Sequence, residues 1–201
     1  MQRLAKQSDY IIQRISELLA MEDGGEYFNV MAESFESPNK DVENFLKAKS
    51  MQATKLCTAA TYLVYTVKSA SEFDLVGYFS LATKMLTLKK ASLSKTTEKV
   101  IGRFGYYDED SDAYNVPAII IAQFGRNFNG SCGSISGADL MTIALRQVKA
   151  VLSFSSGKTV FLECEKKQKL VDFYTANGFS LLDNEVLSKD KKSLVQLYRL
   201  L

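Results

Sequence analysis

The sequence contains no histidine. Ser-His-Asp and Cys-His nucleophilic machinery is therefore excluded, and so is any metal site held by imidazole. Acid–base chemistry must run on carboxylates, Tyr, Lys, Cys, water or a bound substrate's own groups. Long apolar runs are also missing. The longest, residues 116–122, is far short of a membrane span. The N-terminal MQRLAKQSDYIIQ lacks the apolar core and cleavage site of a signal peptide, which predicts a cytoplasmic protein. Neither charge sign dominates: 25 basic residues oppose 23 acidic ones. Residues 1–100 carry 13 and 12 of these, leaving 12 and 11 for the remainder. No half advertises nucleic acid. Only three cysteines occur, Cys57, Cys132 and Cys164, and they stand far apart. That suits reduced, mostly buried thiols better than a disulfide framework or a zinc site. Repeats and low-complexity segments are absent.

What is present is an ordinary globular composition, 46% apolar and 24% charged over 201 residues. A chain this long buries roughly two-thirds of its unfolded surface and needs no staples. Spacing predicts an amphipathic helix over residues 10–21, opened by Ser8 and Asp9 and ended by Gly24-Gly25. A short strand-like piece, 26–32, should follow. Asp41 is the expected N-cap of a second helix carrying Phe45, Leu46 and Ala48 on its apolar side. Strands are expected over 59–67 and 75–86, joined through SASEFD. Residues 89–102 have a weak helical pattern, and an acidic, aromatic loop comes next. Pro117 should open an apolar strand, 117–124. Further expectations are a Gly/Ser loop (127–136), a helix (137–154), a strand (160–165), a helix (167–176) stopped by Asn177-Gly178, and strands over 179–187 and 193–200.

Most motif matches fail on inspection. Ser155-Ser156-Gly157-Lys158-Thr159 contains Gly-Lys-Thr, but a phosphate-binding loop needs Gly where Leu152 stands, and the segment precedes a strand. Asp108, Asp110 and Asp112 alternate like a calcium loop, yet Ala113 and Ile119 occupy its Gly and Glu positions. They read as a solvated loop, with attraction of a cationic substrate as the alternative. Lys84, Lys89, Lys90, Lys95, Lys99 and Arg103 read as a solvated basic face, or as a contact for a phosphate-rich partner such as RNA.

Residues 117–150 carry more. An apolar strand, a Gly/Ser loop and a helix in succession aim backbone N–H groups and a helix N-terminus at one point, which suits an anionic pyrophosphate. Further on stands LVDFYTANGFSLL, a short helix ending at Gly178 and turning into a strand. Phe173 and Tyr174 are adjacent, so one can be buried while the other faces a cleft. Without histidine, a Tyr hydroxyl in an apolar cleft is an obvious proton donor. Coverage of the sheet is the plain alternative for Tyr174.

These segments together resemble the GNAT superfamily of acetyl-CoA-dependent N-acetyltransferases. FYTANGF is similar to the family's FYxxxGF helix end. VENFLKAKSMQ, TYLVY and LVGYFSL are similar to the first helix and paired strands of the bacterial branch that includes tRNA-acetylating toxins. The resemblance covers about residues 27–200, with residues 1–25 as an extra N-terminal helix and 26–201 as a single acetyltransferase domain. It implies an α/β fold with a mixed, mostly antiparallel sheet flanked by helices, whose central strands splay to form the cofactor cleft. It also implies acetyl-CoA as cosubstrate, no metal, and transfer to a primary amine of a protein, an aminoacyl-tRNA or a small molecule. Tyr174 would protonate the departing thiolate. The backbone of Phe124, Gly125 and Arg126 would contact the acetyl and pantetheine portions. Gly133, Ser134, Ile135, Ser136, Gly137 and Ala138 would hold the pyrophosphate. The family loop reads Gln/Arg-x-x-Gly-x-Gly/Ala. Here Cys132 and Ile135 replace the first residue and the middle Gly, Gly137 is kept, and Lys167 stands where an Asn is frequent. Glu163 and Glu165 fall on one face of a strand, as proton relays or as structural groups. An RNA or antitoxin partner and a homodimer go with the resemblance. A non-catalytic CoA-binding or interaction module on the same fold is the alternative.

Overall fold

The computed structural model describes residues 10–69, 72–187 and 193–201, with the side chains of residues 183–185 left aside. Eight strands are present among them: β1 (Ile11–Arg14), β2 (Ala60–Val67), β3 (Phe73–Lys89), β4 (Tyr106–Asp108), β5 (Ala113–Arg126), β6 (Thr159–Glu165), β7 (Ser180–Leu187) and β8 (Ser193–Leu200). Their hydrogen-bonded order is β1-β2-β3-β5-β6-β8-β7, with β4 paired on β5. The pairings β1–β2, β2–β3, β4–β5, β6–β8 and β7–β8 are antiparallel, and β5–β6 is parallel. This is the expected mixed, mostly antiparallel α/β sheet.

Two compact units share the chain. The first comprises Met1–Ala82 and Ala122–Arg146. Here α1 (Ile15–Leu19), α2 (Gly24–Glu33), α3 (Lys40–Asn44), a π-helical turn (Phe45–Lys49) and α4 (Ser50–Lys55) accompany β1, β2 and the first part of β3. Ile15, Leu18, Phe28, Ala32, Phe35, Leu46, Leu63, Tyr65, Leu75 and Tyr78 form one buried cluster.

Three expectations in this unit are corrected. Of the residues expected as one helix over 10–21, 11–14 are strand β1 and only 15–19 are helical; Ser8 and Asp9 lie outside the described residues. The β-branched Ile11 and Ile12 gain more by pairing with Tyr65 and Val64 of β2 than by extending a helix. Residues 26–32, expected as strand-like, belong to α2, which Gly24-Gly25 opens. Gly24, Phe28 and Ala32 are each four apart and all buried, a helical period. The second helix is capped two residues earlier than expected, by Asn39 and not Asp41: Asn39 Oδ1 accepts the Asp41 N–H at 3.0 Å.

The second unit comprises Thr83–Ile121 and Gln147–Leu201. It holds α5 (Lys95–Ile101), the later part of α6 (Gly137–Ser155) and α7 (Gln168–Ala176). β5 begins at Ala113, not Pro117, because a hairpin with β4 pairs Ala113–Asn115; Pro117 lies just past that ladder, where its missing N–H costs little. The β5–β6 ladder has only two residue pairs, Ile119↔Val160 and Ile120↔Phe161, whereas β6 pairs with β8 from Thr159 to Glu165. The parallel pairing is thus confined to two rungs. Among the described residues, no helix is long and apolar enough to cross a membrane.

Candidate functional site

In the first unit, β5 ends on Phe124, Gly125 and Arg126. Gly125 is buried, and a Cβ there would lie 2.4 Å from Val42 Cγ1 and 3.3 Å from Phe35 Cζ. Only glycine lets α3 come down onto the strand at this point. The contact is locked by Tyr78, whose hydroxyl donates to the Val42 carbonyl at 2.5 Å while Phe45 stacks on its ring at 6.4 Å. Burial pushes the Tyr78 hydroxyl far above the ordinary phenol range, so it stays a donor.

Asn127 comes next and organises the corner. Its N–H donates to Val76 O at 2.8 Å. Its Nδ2 donates to Leu75 O at 2.8 Å and Ser34 O at 3.3 Å. Its Oδ1 accepts the N–H groups of Glu36 and Asn129, each at 3.0 Å. One buried amide therefore ties β3, the loop after α2 and the exit from β5. Sequence reasoning overlooked it; the Asn-x-Asn doublet directly after an apolar strand was the signal.

The loop residues are not equivalent. Gly133 N–H is already donated to Asp74 Oδ2 at 3.0 Å. Ile135 is buried, and its carbonyl accepts Arg126 Nη1 at 3.1 Å. Ser134 and Ala138 are exposed, and Gly137 is half-buried. Ser136 caps α6: its Oγ accepts the Asp139 N–H at 3.0 Å and donates to Asp139 Oδ2 at 2.6 Å. The first intrahelical bond is Leu140 N–H to Ser136 O, which leaves the Gly137 and Ala138 amides ahead of it, as helix geometry requires. The anion-receptive end of the loop is thus Ser136–Ala138, where the helix dipole also points. Burial, then the Asp74 charge, raises the Cys132 thiol above its ordinary value, so it is not an activated nucleophile.

In the second unit, α7 carries Tyr174. The Phe179 N–H donates to Tyr174 O at 3.1 Å and the Gly178 N–H to Thr175 O at 2.9 Å, a Schellman cap. Gly178 has φ +81, the left-handed conformation that favours glycine. Asn177 Nδ2 donates to Phe173 O at 2.7 Å, and Arg199 Nη1 to Asn177 O at 2.6 Å. Phe173 and Tyr174 are both half-buried, and Phe179 is the buried ring, 2% exposed. Tyr174 is flanked edge-on by Phe173 at 5.1 Å and Phe179 at 6.1 Å. Its hydroxyl has no hydrogen-bond partner among the described residues. Burial, with a contribution from Cys164, raises that hydroxyl well above the ordinary phenol range. Cys164, missed as a neighbour of Tyr174, is itself buried and raised to about 11, first by burial and then by Glu165.

Glu163 and Glu165 lie on one face of β6, and Cys164 on the other. Glu163 Oε1 accepts Gln196 Nε2 at 2.9 Å, and Glu165 pairs with Lys167. The acidic loop is self-satisfied: Asp108 accepts from Asp110 N and Ser111 Oγ, and Asp112 from Tyr107. In the basic stretch, Lys90 pairs with Glu98 at 3.6 Å and stands over the Tyr107 ring at 5.0 Å. Lys84, Lys89, Lys95, Lys99 and Arg103 are exposed.

Solved structures superpose on most of the chain. KacT carrying a Tyr-to-Phe substitution matches with a TM-score of 0.62 at 17% identity, covering 94% of this chain and 94% of that one. AtaT complexed with acetyl-methionyl-tRNAfMet gives 0.60 at 17%, over 93% and 94%. AtaTR bound with AcCoA gives 0.54 at 14%, over 96% and 93%. The chain has the GNAT fold. No family model matches the sequence, and no curated protein matches it. At these identities the likeness is one of GNAT architecture, and the chemistry must be argued from this chain's own residues.

Proposed function

We propose that this chain is an N-acetyltransferase that moves the acetyl group of acetyl-CoA to a primary amine. Residues 26–201 constitute the acetyltransferase domain in this reading, in a cytoplasmic bacterial setting. The observation that carries it is Tyr174: a tyrosine hydroxyl kept protonated by burial, with no hydrogen-bond partner among the described residues, on a helix end pinned by a Schellman cap. Such a group is built to give a proton to something that is not part of the chain.

The amine attacks the thioester carbonyl, the C–S bond breaks, and the CoA thiolate takes the Tyr174 proton; the attacking nitrogen loses a proton to a base. The backbone at Phe124–Arg126 and the amides of Gly137 and Ala138 would position the acetyl group and the pyrophosphate, and positioning alone supplies several kcal/mol. Neither step needs imidazole, which the chain lacks. Glu163 is occupied by Gln196, so the base is more simply sought in water or the acceptor itself. AtaT has been seen with acetyl-methionyl-tRNAfMet, which makes aminoacyl-tRNA the first acceptor to try.

The second reading, a non-catalytic CoA-binding or interaction module, is favoured by the degenerate loop, in which Cys132 and Ile135 replace the first residue and the middle Gly. Thiol release from acetyl-CoA over a panel of amines and aminoacyl-tRNAs separates the readings. Turnover with any acceptor supports the enzyme; acetyl-CoA binding by calorimetry without turnover on the whole panel supports the module. Gly137→Glu puts bulk and negative charge at the α6 start and should abolish binding in either case.

A further inference from the structure

The loop meant for a pyrophosphate is bordered by carboxylates. Asp74 holds Gly133, and Asp139 is bonded to Ser136, the cap of α6. The Cys132 thiol feels Asp74 and Glu36, with Lys68 opposing them; these groups lie at the Gly133 end. At the Ser136–Ala138 end the loop itself supplies no cation. Arg126 is the only Lys or Arg between Arg103 and Arg146. Its guanidinium is held twice, by the Ile135 carbonyl at 3.1 Å and over the Phe128 ring at 4.8 Å. Ile135 is 3% exposed, so the acceptor is fixed, and it immediately precedes Ser136. The guanidinium fork has five N–H donors, and the Ile135 bond uses one of them.

We propose that the Arg126 side chain is the cation that binds the acetyl-CoA pyrophosphate, at the end of the loop where α6 begins. This rests on the acetyltransferase reading, and it assigns to the side chain a task beyond the backbone contact expected of this residue. The strand end, Phe128 and Ile135 preorganise the fork, so little side-chain entropy is left to lose on binding. Without it, an incoming pyrophosphate would meet Asp139 and Asp74 with only the Gly137 and Ala138 amides in compensation.

The test uses the full chain, acetyl-CoA, and S-acetylpantetheine, which lacks the pyrophosphate. Arg126→Gln should weaken acetyl-CoA binding about 10- to 100-fold, the worth of a charged hydrogen bond, and leave S-acetylpantetheine binding unchanged. Arg126→Lys keeps the charge without the fork and should recover most of the loss. Equal acetyl-CoA affinity in wild type and Arg126→Gln overturns the assignment, as does an equal loss for both probes. If Arg126→Gln does not fold, Arg126→Met, which keeps an aliphatic stem without the charge, decides: weakening confined to acetyl-CoA supports the proposal, and wild-type affinity overturns it. A wild-type chain that binds no acetyl-CoA overturns the acetyltransferase reading itself, a result distinct from a binding wild type with indifferent variants.

Discussion

The Tyr174 carbonyl accepts the Phe179 N–H at 3.1 Å, and the rings of the same two residues meet edge-on at 6.1 Å. Cap and ring contact fix one tyrosine from both its backbone and its side chain. Tyr174→Phe keeps the ring and its packing and removes only the proton. It should lower kcat by about 10²- to 10⁴-fold with acetyl-CoA affinity nearly unchanged, read by steady-state kinetics beside calorimetry. Because burial raises the hydroxyl, the wild-type rate should not fall on the alkaline side through about pH 10, the ordinary phenol value. An alkaline loss there, or full turnover by the Phe variant, would leave Tyr174 a packing residue.

Gly178→Ala attacks the same cap from outside the ring. The left-handed φ costs a Cβ residue about 1–2 kcal/mol, and that Cβ would also press on Arg199 Cζ at 3.2 Å. Urea unfolding should show that loss. Turnover should fall further than stability alone explains, because the cap is what holds Tyr174.

Gly125→Ala should destabilise by about 1–3 kcal/mol through overpacking. The new methyl would meet Val42 at 2.4 Å, and α3 cannot retreat without releasing the Tyr78 hydroxyl. Thermal unfolding checks this; an unchanged midpoint would mean that α3 sits more loosely than its contacts imply.

Glu43 predicts acid sensitivity. Its carboxylate accepts from Lys40 Nζ at 2.8 Å and Ser37 N–H at 3.0 Å, and these bonds hold it at about 2 against an ordinary 4.5. A depressed folded value stabilises fully above 4.5, and that contribution drains away as pH falls from 4.5 towards 2. Chemical-shift titration should place the Glu43 midpoint below the ordinary value, and Glu43→Gln should flatten the stability profile over that window.

The sequence showed the later part of the fold more clearly than the beginning. Strong apolar runs bounded by Gly marked β5, β6, α6 and α7 within a few residues, and Asn177-Gly178 announced the cap that the structure contains. The first thirty residues misled because two isoleucines suit either period, and pairing with β2 decided between them. The candidate Tyr174 was singled out by its motif. Asp74 and Cys164 were not, since each acquires its meaning from a partner remote in sequence, Gly133 in one case and Tyr174 in the other. Arg126 stood in plain view, but only the loop path shows its guanidinium turned onto Ile135.

The two compact units are threaded through one another along the chain. The first needs residues on both sides of the stretch 83–121, and the second needs residues on both sides of 122–146. No single cut releases either unit whole, so a fragment ending near residue 82 lacks the strand end and loop that carry Arg126 and Asn127, and a fragment starting at 147 lacks the strand that β6 meets at Ile119 and Ile120. During synthesis neither unit can close until its second segment has emerged from the ribosome. Truncation to a minimal piece should therefore yield unfolded polypeptide.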